Sequence, residues 1–562
     1  MHWPDALFHW FAASPIRYWV TAWTLFGLTA GLALLPESGS SRVWVRRLAH
    51  PAWFALAVLL TFLAFRWPTW FADEQVNPDE AHMIAGAITL REYPVFWRDV
   101  DGTTHGPLDD YILLLAPALG LPMDFAGARL VGTLLQVATL LAVWIAAGRI
   151  FDSGSARLAI LPALLLWAAT SFYDLLQYSS ESMPICLAAL GGAVGTVALT
   201  TSSLIGRRLG LFGAAVLLGL VPYAKLQGIL QAGCIGLVLV ALVWRSSSGN
   251  ERGWQMDLGC LVVGALLPTL LLLAALAGVD LIGEFYQSYW RNNVLYANAR
   301  HLSYADQLHG FIDYLDATPG VLAFCRGTLL AALLLLVPAM RGSRRDALAL
   351  GWLIALVGFL SVIVPGRTYL HYQHFLIAPA AFLLAASLHA ARSGFGRLSP
   401  WVARGAAVAA AVIATWPQIS YRRSQYNPLP ERYAGPQAAG RSEIGRLLLT
   451  KLAPKDRLSV WGWRPGLYVE TGLPQGTRDG QTSRMIEQSP MREYYRRRYL
   501  ADLMRNQPRW FVDATGGDNF AYKNRGLEGH QTYSDLATWV KENYESAGEA
   551  DGCQLYELRR RR

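Results

Sequence analysis

The chain has 562 residues, of which 53% are hydrophobic and only 16% charged, against roughly 25% charge in soluble domains. This excludes a soluble or disordered protein and indicates one that lives in a membrane. The formal net charge is +9, but the arginines of the apolar part sit in alternate short loops. That is a topology signal, and no nucleic-acid partner is implied. Of five cysteines, Cys186, Cys234, Cys260 and Cys325 fall in or beside apolar runs and Cys553 stands alone, so neither a disulfide framework nor a metal quartet is indicated.

In chain order, apolar runs of a length to cross about 30 Å of hydrocarbon as helices lie near residues 16–36, 50–71, 127–148, 157–172, 183–201, 208–223, 227–245, 257–279, 321–340, 347–365, 372–391 and 402–420. They predict a polytopic α-helical protein of about twelve transmembrane helices over residues 1–420. The first run lacks a small-residue cleavage site and is followed by Arg, so it is expected to be retained. Basic residues stay on the cytoplasmic side, which orients the loops. Arg-bearing segments such as "SRVWVRRLAH", "IGRR" and "RGSRRDAL" are inside. Residues 72–126, the turns "SFYDLLQYSSES", "VPYAKLQG" and "VPGRTYLHYQHF", the segment 280–320 and everything after 420 are then on the periplasmic or extracellular side of the cell (inner) membrane. Past 420 the chain turns polar and Pro-rich, "YRRSQYNPLPERYAGPQ", and residues 421–562 have the size of a small soluble domain.

The first outer loop, 72–126, opens with "NPDEAHMIAGAITLREYP": a turn-forming Asn-Pro, then Asp79 and Glu80 in the first turn of an amphipathic helix, where the helix dipole favours negative charge. The helix is expected to lie along the membrane surface. Asp79 is either an N-terminal cap or a working carboxylate facing a cavity. The loop continues with Asp99, Asp101, His105, Asp109, Asp110 and Tyr111 around a Gly-Pro turn that opens a second short apolar helix. So many acids beside a membrane call for water or a cationic partner. Trp and Tyr in "VFWRDV" and "FYQSYWRNN" are expected to anchor at the interface, or to stack on sugar rings.

Lys225 is the only lysine before residue 451 in a chain that otherwise uses arginine. It lies on the outer side, against the positive-inside bias, at the junction of two spans. A snorkelling lysine is one reading; a compact cation for a lipid phosphate is the other. Two further outer turns carry polar groups: Asp174 and Glu181 at the head of one span, and Arg367, Tyr369, His371, Tyr372, Gln373 and His374 at the mouth of another. An ionisable group at membrane depth is costly and faces a cavity. His371 and His374 have the i, i+3 spacing of a metal pair, but spacing fixes no third ligand. No cofactor is required, and a divalent metal has no support beyond that pair.

These residues resemble the GT-C fold of polytopic glycosyltransferases, which includes the protein O-mannosyltransferases and the aminoarabinose transferases acting on lipid A. Asp79-Glu80 is similar to the family's Asp-Glu motif, "HGPLDDY" to its Pro-Leu-x-x-Tyr segment, Glu181 to its second acid, and Lys225 in a Lys-x-x-Gly context to its phosphate-binding lysine. The tail, with "DRLSVWGWRPGLYVETGLP" and "PRWFVDAT" as strand-turn segments, resembles the soluble α/β module of many bacterial members. The resemblance implies a polyprenyl-phosphate-linked sugar donor, and a glycan, lipid or protein acceptor, used outside the cytoplasm. Asp79 would be the general base, Glu80 and Glu181 would shape the acceptor site, and Lys225 and Arg367 would hold the donor phosphate. Asp99, Asp101, His105, Tyr111, His371 and Tyr372 would be near the acceptor and sugar. The implied reaction is direct displacement with inversion, since the phosphate is already a good leaving group and one base suffices. Two departures blur the substrate: His105 and Gly106 stand where aminoarabinose transferases carry a Lys, and there is one more N-terminal span than in most members.

Two alternatives remain from the residues. An O-antigen ligase or polymerase would use Arg291, Arg300 and His301 of the 280–320 segment. A lipid or solute transporter would show internal repeats and broken helices at mid-membrane, whereas here the polar groups gather on one face.

Overall fold

With no water in hydrocarbon to satisfy backbone groups, apolar runs close their hydrogen bonds internally as helices. The computed structural model describes residues 10–11, 13–35, 43–70, 75–246, 251–298, 302–367, 369–395, 399–424, 442–517 and 519–559. Its main helices in chain order are α1 (Pro15–Leu34), α2 (Pro51–Arg66), α3 (Pro78–Glu92), α4 (Phe125–Ile150), α5 (Ser153–Ala169), α6 (Ser182–Leu199), α7 (Leu204–Leu220), α8 (Ile229–Ser246), α9 (Glu251–Gly278), α10 (Pro319–Leu334), α11 (Arg345–Ile363), α12 (His374–Phe395) and α13 (Pro400–Ser424). Ten helices among the described residues are long and apolar enough to cross a membrane, and the chain is an integral membrane protein. The two other runs expected to span are α1 and the shorter α5, so every expected run is helical.

The chain divides into two compact units, one of residues Met1–Thr69, Gly132–Ala275 and Ala297–Ala434, the other of Trp70–Val131, Leu276–Tyr296 and Gly435–Arg562. This is not a single cut near residue 420. The first long loop and a short stretch after α9 are grouped with the C-terminal residues.

In the first unit α5 and α12 are interior. Every residue of α5 from Ser155 to Ala169 is buried, as befits a helix that is apolar all round. Around and within α12, residues 372–379 and 383–391 are all buried, whereas α9 is mostly uncovered and exposes Val262, Val263, Leu266, Leu270 and Leu271, a face fit for lipid. At its start α5 is capped by Asp152, whose carboxylate accepts from Ser155 N (2.8 Å) and meets His389 Nδ1 (2.8 Å) and Arg392 (2.6 Å). Arg66 ends α2 fully buried, donating to the carbonyls of Trp167, Leu175 and Leu176 and to the Gln136 side chain at 2.6–3.0 Å.

The second unit contains a four-stranded sheet in the order β1-β2-β4-β3: β1 (Leu458–Trp461), β2 (Trp510–Asp513), β3 (Tyr544–Ala550) and β4 (Cys553–Leu558). β1 and β2 are parallel; β2–β4 and β3–β4 are antiparallel. Both segments expected to be strand-turn, around 458 and 510, form strands. Side chains alternate across the sheet: Leu458, Val460, Trp510, Val512 and Leu555 join one core with Ile444, Leu448 and Tyr468, while Trp461, Phe511 and Tyr544 join another with Tyr495, Tyr499 and Leu503. Asp551 and Gly552 close the β3–β4 hairpin at φ 51° and 69°, the two positive values that an Asp-Gly turn supplies at little cost.

The helix that carries Asp79 in its first turn departs from the amphipathic expectation. α3 is buried from Glu80 to Leu90 on every face, and its Ala85 belongs to the core that contains β1 and β2. The aromatic anchors divide: Phe96, Trp97, Phe285 and Tyr289 are interior, whereas Tyr286 and Trp290 are exposed. Trp97 is 1% exposed and packs on Phe285 and Tyr289 at ring distances of 4.9 and 5.9 Å.

Candidate functional site

In the first unit three short connections converge: residues 177–181 before α6, residues 221–228 between α7 and α8, and residues 369–373 before α12. Glu181 is fully buried at the head of α6 and Lys225 is 5% exposed. Lys225 Nζ donates to the Glu181 carboxylate and to Ser180 Oγ at 2.7 Å, and Ser179 Oγ donates to the other Glu181 oxygen. The Lys225 ammonium lies 4.9 Å from the centre of the Tyr372 ring, a cation–π contact. His371 Nε2 stands 3.9 Å from the same Glu181 oxygen that meets Lys225, with its ring stacked on Tyr369 at 5.6 Å and 9°.

The Lys-x-x-Gly spacing has a steric reason. A Cβ on Gly228 would lie 2.7 Å from Val221 Cγ1 and 3.0 Å from Pro184 Cβ, so only glycine lets the Lys225 turn close onto the head of α6. Gln227 and Gln231 then fix the turn by donating to the carbonyls of Ser361 (2.7 Å) and Phe375 (2.8 Å). Arg367 lies half-buried in the connection after α11, four residues before His371. His374 is committed differently: Trp167 Nε1 donates to its Nδ1 at 3.0 Å, which leaves Nε2 to donate to the Asp174 carbonyl at 3.2 Å. Both ring nitrogens are used, so His371 and His374 do not form a chelating pair. No group of three or more His, Cys, Asp or Glu with metal-holding geometry occurs among the described residues.

Beside this junction is an apolar cavity, partly open to the surroundings, walled by α4, α6, α8, α11 and α12. α6 contributes Ile185, Ala188, Ala189, Gly192 and Thr196, and α8 contributes Gln231, Cys234, Ile235, Val238 and Leu239. From Ile185 to Thr196 the wall runs roughly 16 Å at the helical rise. It begins one turn below Glu181, whose carbonyl accepts from Ile185 N.

In the second unit the adjacent acids of α3 separate. Asn77 caps the helix, its side chain accepting from Asp79 N at 2.9 Å, so Asp79 is not the cap. Its carboxylate is half-buried in the first turn. Glu80 is fully buried and held by Arg129, Nε to Oε1 at 3.1 Å and Nη2 to Oε2 at 2.8 Å. Arg129 also covers the Phe125 ring at 5.4 Å.

The remaining loop candidates each have a partner in this unit. Asp101 meets Arg498 at 2.7 Å, and Arg498 also holds Asp479. Burial works to raise the pKa of both acids. Arg498 outweighs it at Asp101, whose carboxyl is held below the usual range, while Asp479 stays above it. His105 Nε2 is 3.1 Å from Asp110, whose carboxyl burial pushes up against the opposing effect of His105. Asp99 pairs with Arg98 at 3.1 Å, and Tyr111 OH donates to the Pro94 carbonyl at 2.8 Å. His82, fully buried near His105, has its pKa lowered to about 3, first by burial and then by His105.

Of the rival residues, Arg291 bonds Gln287 at 2.9 Å, and Arg300 and His301 lie outside the described residues. Sequence reasoning missed Ser179, Ser180 and Arg129. The serines stand directly before Glu181 in "QYSSES", and Arg129 is a second basic residue at the head of a span on the side expected to be outer; both were signals.

No known family profile matches the sequence, and no curated protein does. Among solved structures the chain is similar to the crystal structure of ArnT from Cupriavidus metallidurans bound to undecaprenyl phosphate, at 15% identity over 92% of this chain and 98% of that one, with a TM-score of 0.54. The same protein in the apo state gives 16% identity over 89% and 98%, TM-score 0.46. The Archaeoglobus fulgidus oligosaccharyltransferase in complex with Zn and sulfate gives 14% over 88% and 73%, TM-score 0.43. The similarity to the first structure extends over nearly the whole of both chains and agrees with the resemblance carried by Asp79-Glu80, Glu181 and Lys225. The chain is a polytopic membrane protein with the GT-C fold.

Proposed function

We propose that the protein is an inverting glycosyltransferase. It moves a hexosyl or pentosyl group from a polyprenyl-phosphate-linked donor to a glycan, lipid or protein acceptor on the non-cytoplasmic face of the inner membrane. The observation that carries this is the placement of a buried lysine at the head of two apolar helices that also wall an apolar cavity. That arrangement suits an amphiphile, phosphate at Lys225 and chain below. It accords with a fold shared with a protein crystallised with undecaprenyl phosphate.

In this reading Lys225, with Arg367 as a second cation, takes the charge that develops on the leaving phosphate. Glu181 and His371 belong to the same phosphate end, with Tyr372 covering the lysine. In the second unit Asp79, whose carboxylate is not spent on capping, is the base, and Glu80 is the structural acid held by Arg129. The acceptor oxygen forms its bond to the anomeric carbon as the carbon–oxygen bond to the phosphate breaks. The hydroxyl proton passes to Asp79, and polyprenyl phosphate leaves.

The test is transfer of radiolabelled sugar from polyprenyl-phosphate donors in membranes. Asp79→Asn is expected to lose transfer while the protein melts normally, and Lys225→Met to lose donor binding. Near wild-type transfer in folded Asp79→Asn overturns the base, and unchanged donor affinity in Lys225→Met overturns the phosphate site.

A further inference from the structure

We propose that Glu181 is the resting counter-ion of Lys225 and is exchanged for the donor phosphate. On exchange, its carboxylate turns to His371 and the site takes up one proton from solvent. The proposal rests on the reading of Lys225 as the phosphate site.

Lys225 and Glu181 are 5% and 0% exposed, and a buried charge left alone costs far more than a paired one. The other contacts of the ammonium, the Ser180 hydroxyl and the Tyr372 ring, are neutral. Glu181 is the one carboxylate that meets Lys225 among the described residues. In this structure the pair is closed and balanced.

A phosphate arriving at Lys225 brings at least one negative charge. If Glu181 kept its place and its charge, two anions would share one ammonium in a buried site, and like charges at that range exclude each other. Glu181 must therefore give up Lys225, and a new partner must balance it. His371 Nε2 is already 3.9 Å from the carboxylate oxygen that Lys225 holds, so the exchange needs a side-chain rotation and no movement of α6. Ser179, bonded to the other oxygen, is the pivot.

The groups facing His371 are Glu181 from the head of α6, Lys225 beyond it, and Tyr369 and Tyr372 from its own connection. His374 is on the following turn, with both nitrogens occupied, and Arg367 lies four residues before. Of these only Glu181 balances an imidazolium, and it is free to do so once phosphate has taken Lys225. A proton bound by the Glu181–His371 pair restores the neutrality of the resting site.

The full chain in lipid nanodiscs is titrated with undecaprenyl phosphate by calorimetry near neutral pH, in two buffers of different ionisation enthalpy. The difference in apparent heat counts protons. Wild type is expected to take up about one proton per phosphate bound. Glu181→Gln is expected to bind at least as tightly with no proton uptake, and His371→Gln to bind more weakly.

Wild-type binding without proton uptake overturns the exchange, as does loss of binding in a Glu181→Gln protein that melts normally; the wild-type count needs no variant to fold. Lys225→Met separates the two layers. If it abolishes binding while wild type takes up no proton, the phosphate site stands and the exchange falls. If it leaves binding unchanged, the phosphate site itself falls.

Discussion

Two buried acid–base pairs, one in each unit, are built from different cations. Glu80–Arg129 is a planar fork on a carboxylate, two parallel bonds at 3.1 and 2.8 Å with the guanidinium also over Phe125. Glu181–Lys225 is a point charge on one carboxylate oxygen, shared with a hydroxyl and a ring face. A guanidinium held bidentately has its geometry fixed by its partner, whereas an ammonium accepts any anion within reach. The first pair fastens α3 to the start of α4 within its unit. The second sits beside a cavity and a second candidate partner, His371. On the proposed reading, burial alone does not separate a structural pair from a working one; the shape of the cation and the supply of alternative partners do.

Predictions that break or sharpen this contrast follow in order of size. Lys225→Met should reduce sugar transfer to background, measured with a radiolabelled donor; adding Glu181→Gln should restore the melting temperature without restoring transfer. Recovery of transfer in the double variant would reduce Lys225 to a structural partner. Asp79→Asn should lower the transfer rate by about 10²–10⁴-fold with little change in melting. Arg129→Ala strands Glu80 and should cost about 3–5 kcal/mol of stability, seen as loss of folded protein in thermal melts. Arg129→Lys keeps the charge but loses the fork, and should cost about 1–3 kcal/mol; a neutral result would remove the geometric half of the contrast.

The smallest effect is a pH dependence in the second unit. His82 has a folded pKa of about 3, below its unfolded value of 6.5, so the unfolded chain binds the extra proton between those values. Its contribution to stability is complete above pH 6.5 and is lost progressively as pH falls toward 3. His82→Gln should flatten that acidic limb by a few degrees, about the shift expected of 1–2 kcal/mol, in melts between pH 7 and 4.5.

Helix positions and the Lys225 turn were legible because hydrocarbon imposes run length, and because a lone lysine at a span head is conspicuous against the arginines around it. The first long loop was legible only in part. Its Asp-Glu start and short helices were readable, but α3 owes its burial to a core that includes β1 and β2, more than 350 residues later in the chain, and no local period announces such a neighbour. The same holds for Asp101, whose cation is Arg498, and for Trp97, whose ring meets Phe285. The aromatic-rich loop looked like interface because composition alone does not say whether water, lipid or protein covers a ring.

The scarcity of lysine has a practical side. Lys225 is the only lysine before residue 451, so an amine-acylating reagent has one lysine side chain to find in the unit that holds the cavity. Its nitrogen is covered by Glu181, Ser180 and Tyr372, and acylation must wait until that cover lifts. The rate of modification at this one position is then a clock for the opening of the pair, readable by mass spectrometry on the unaltered chain.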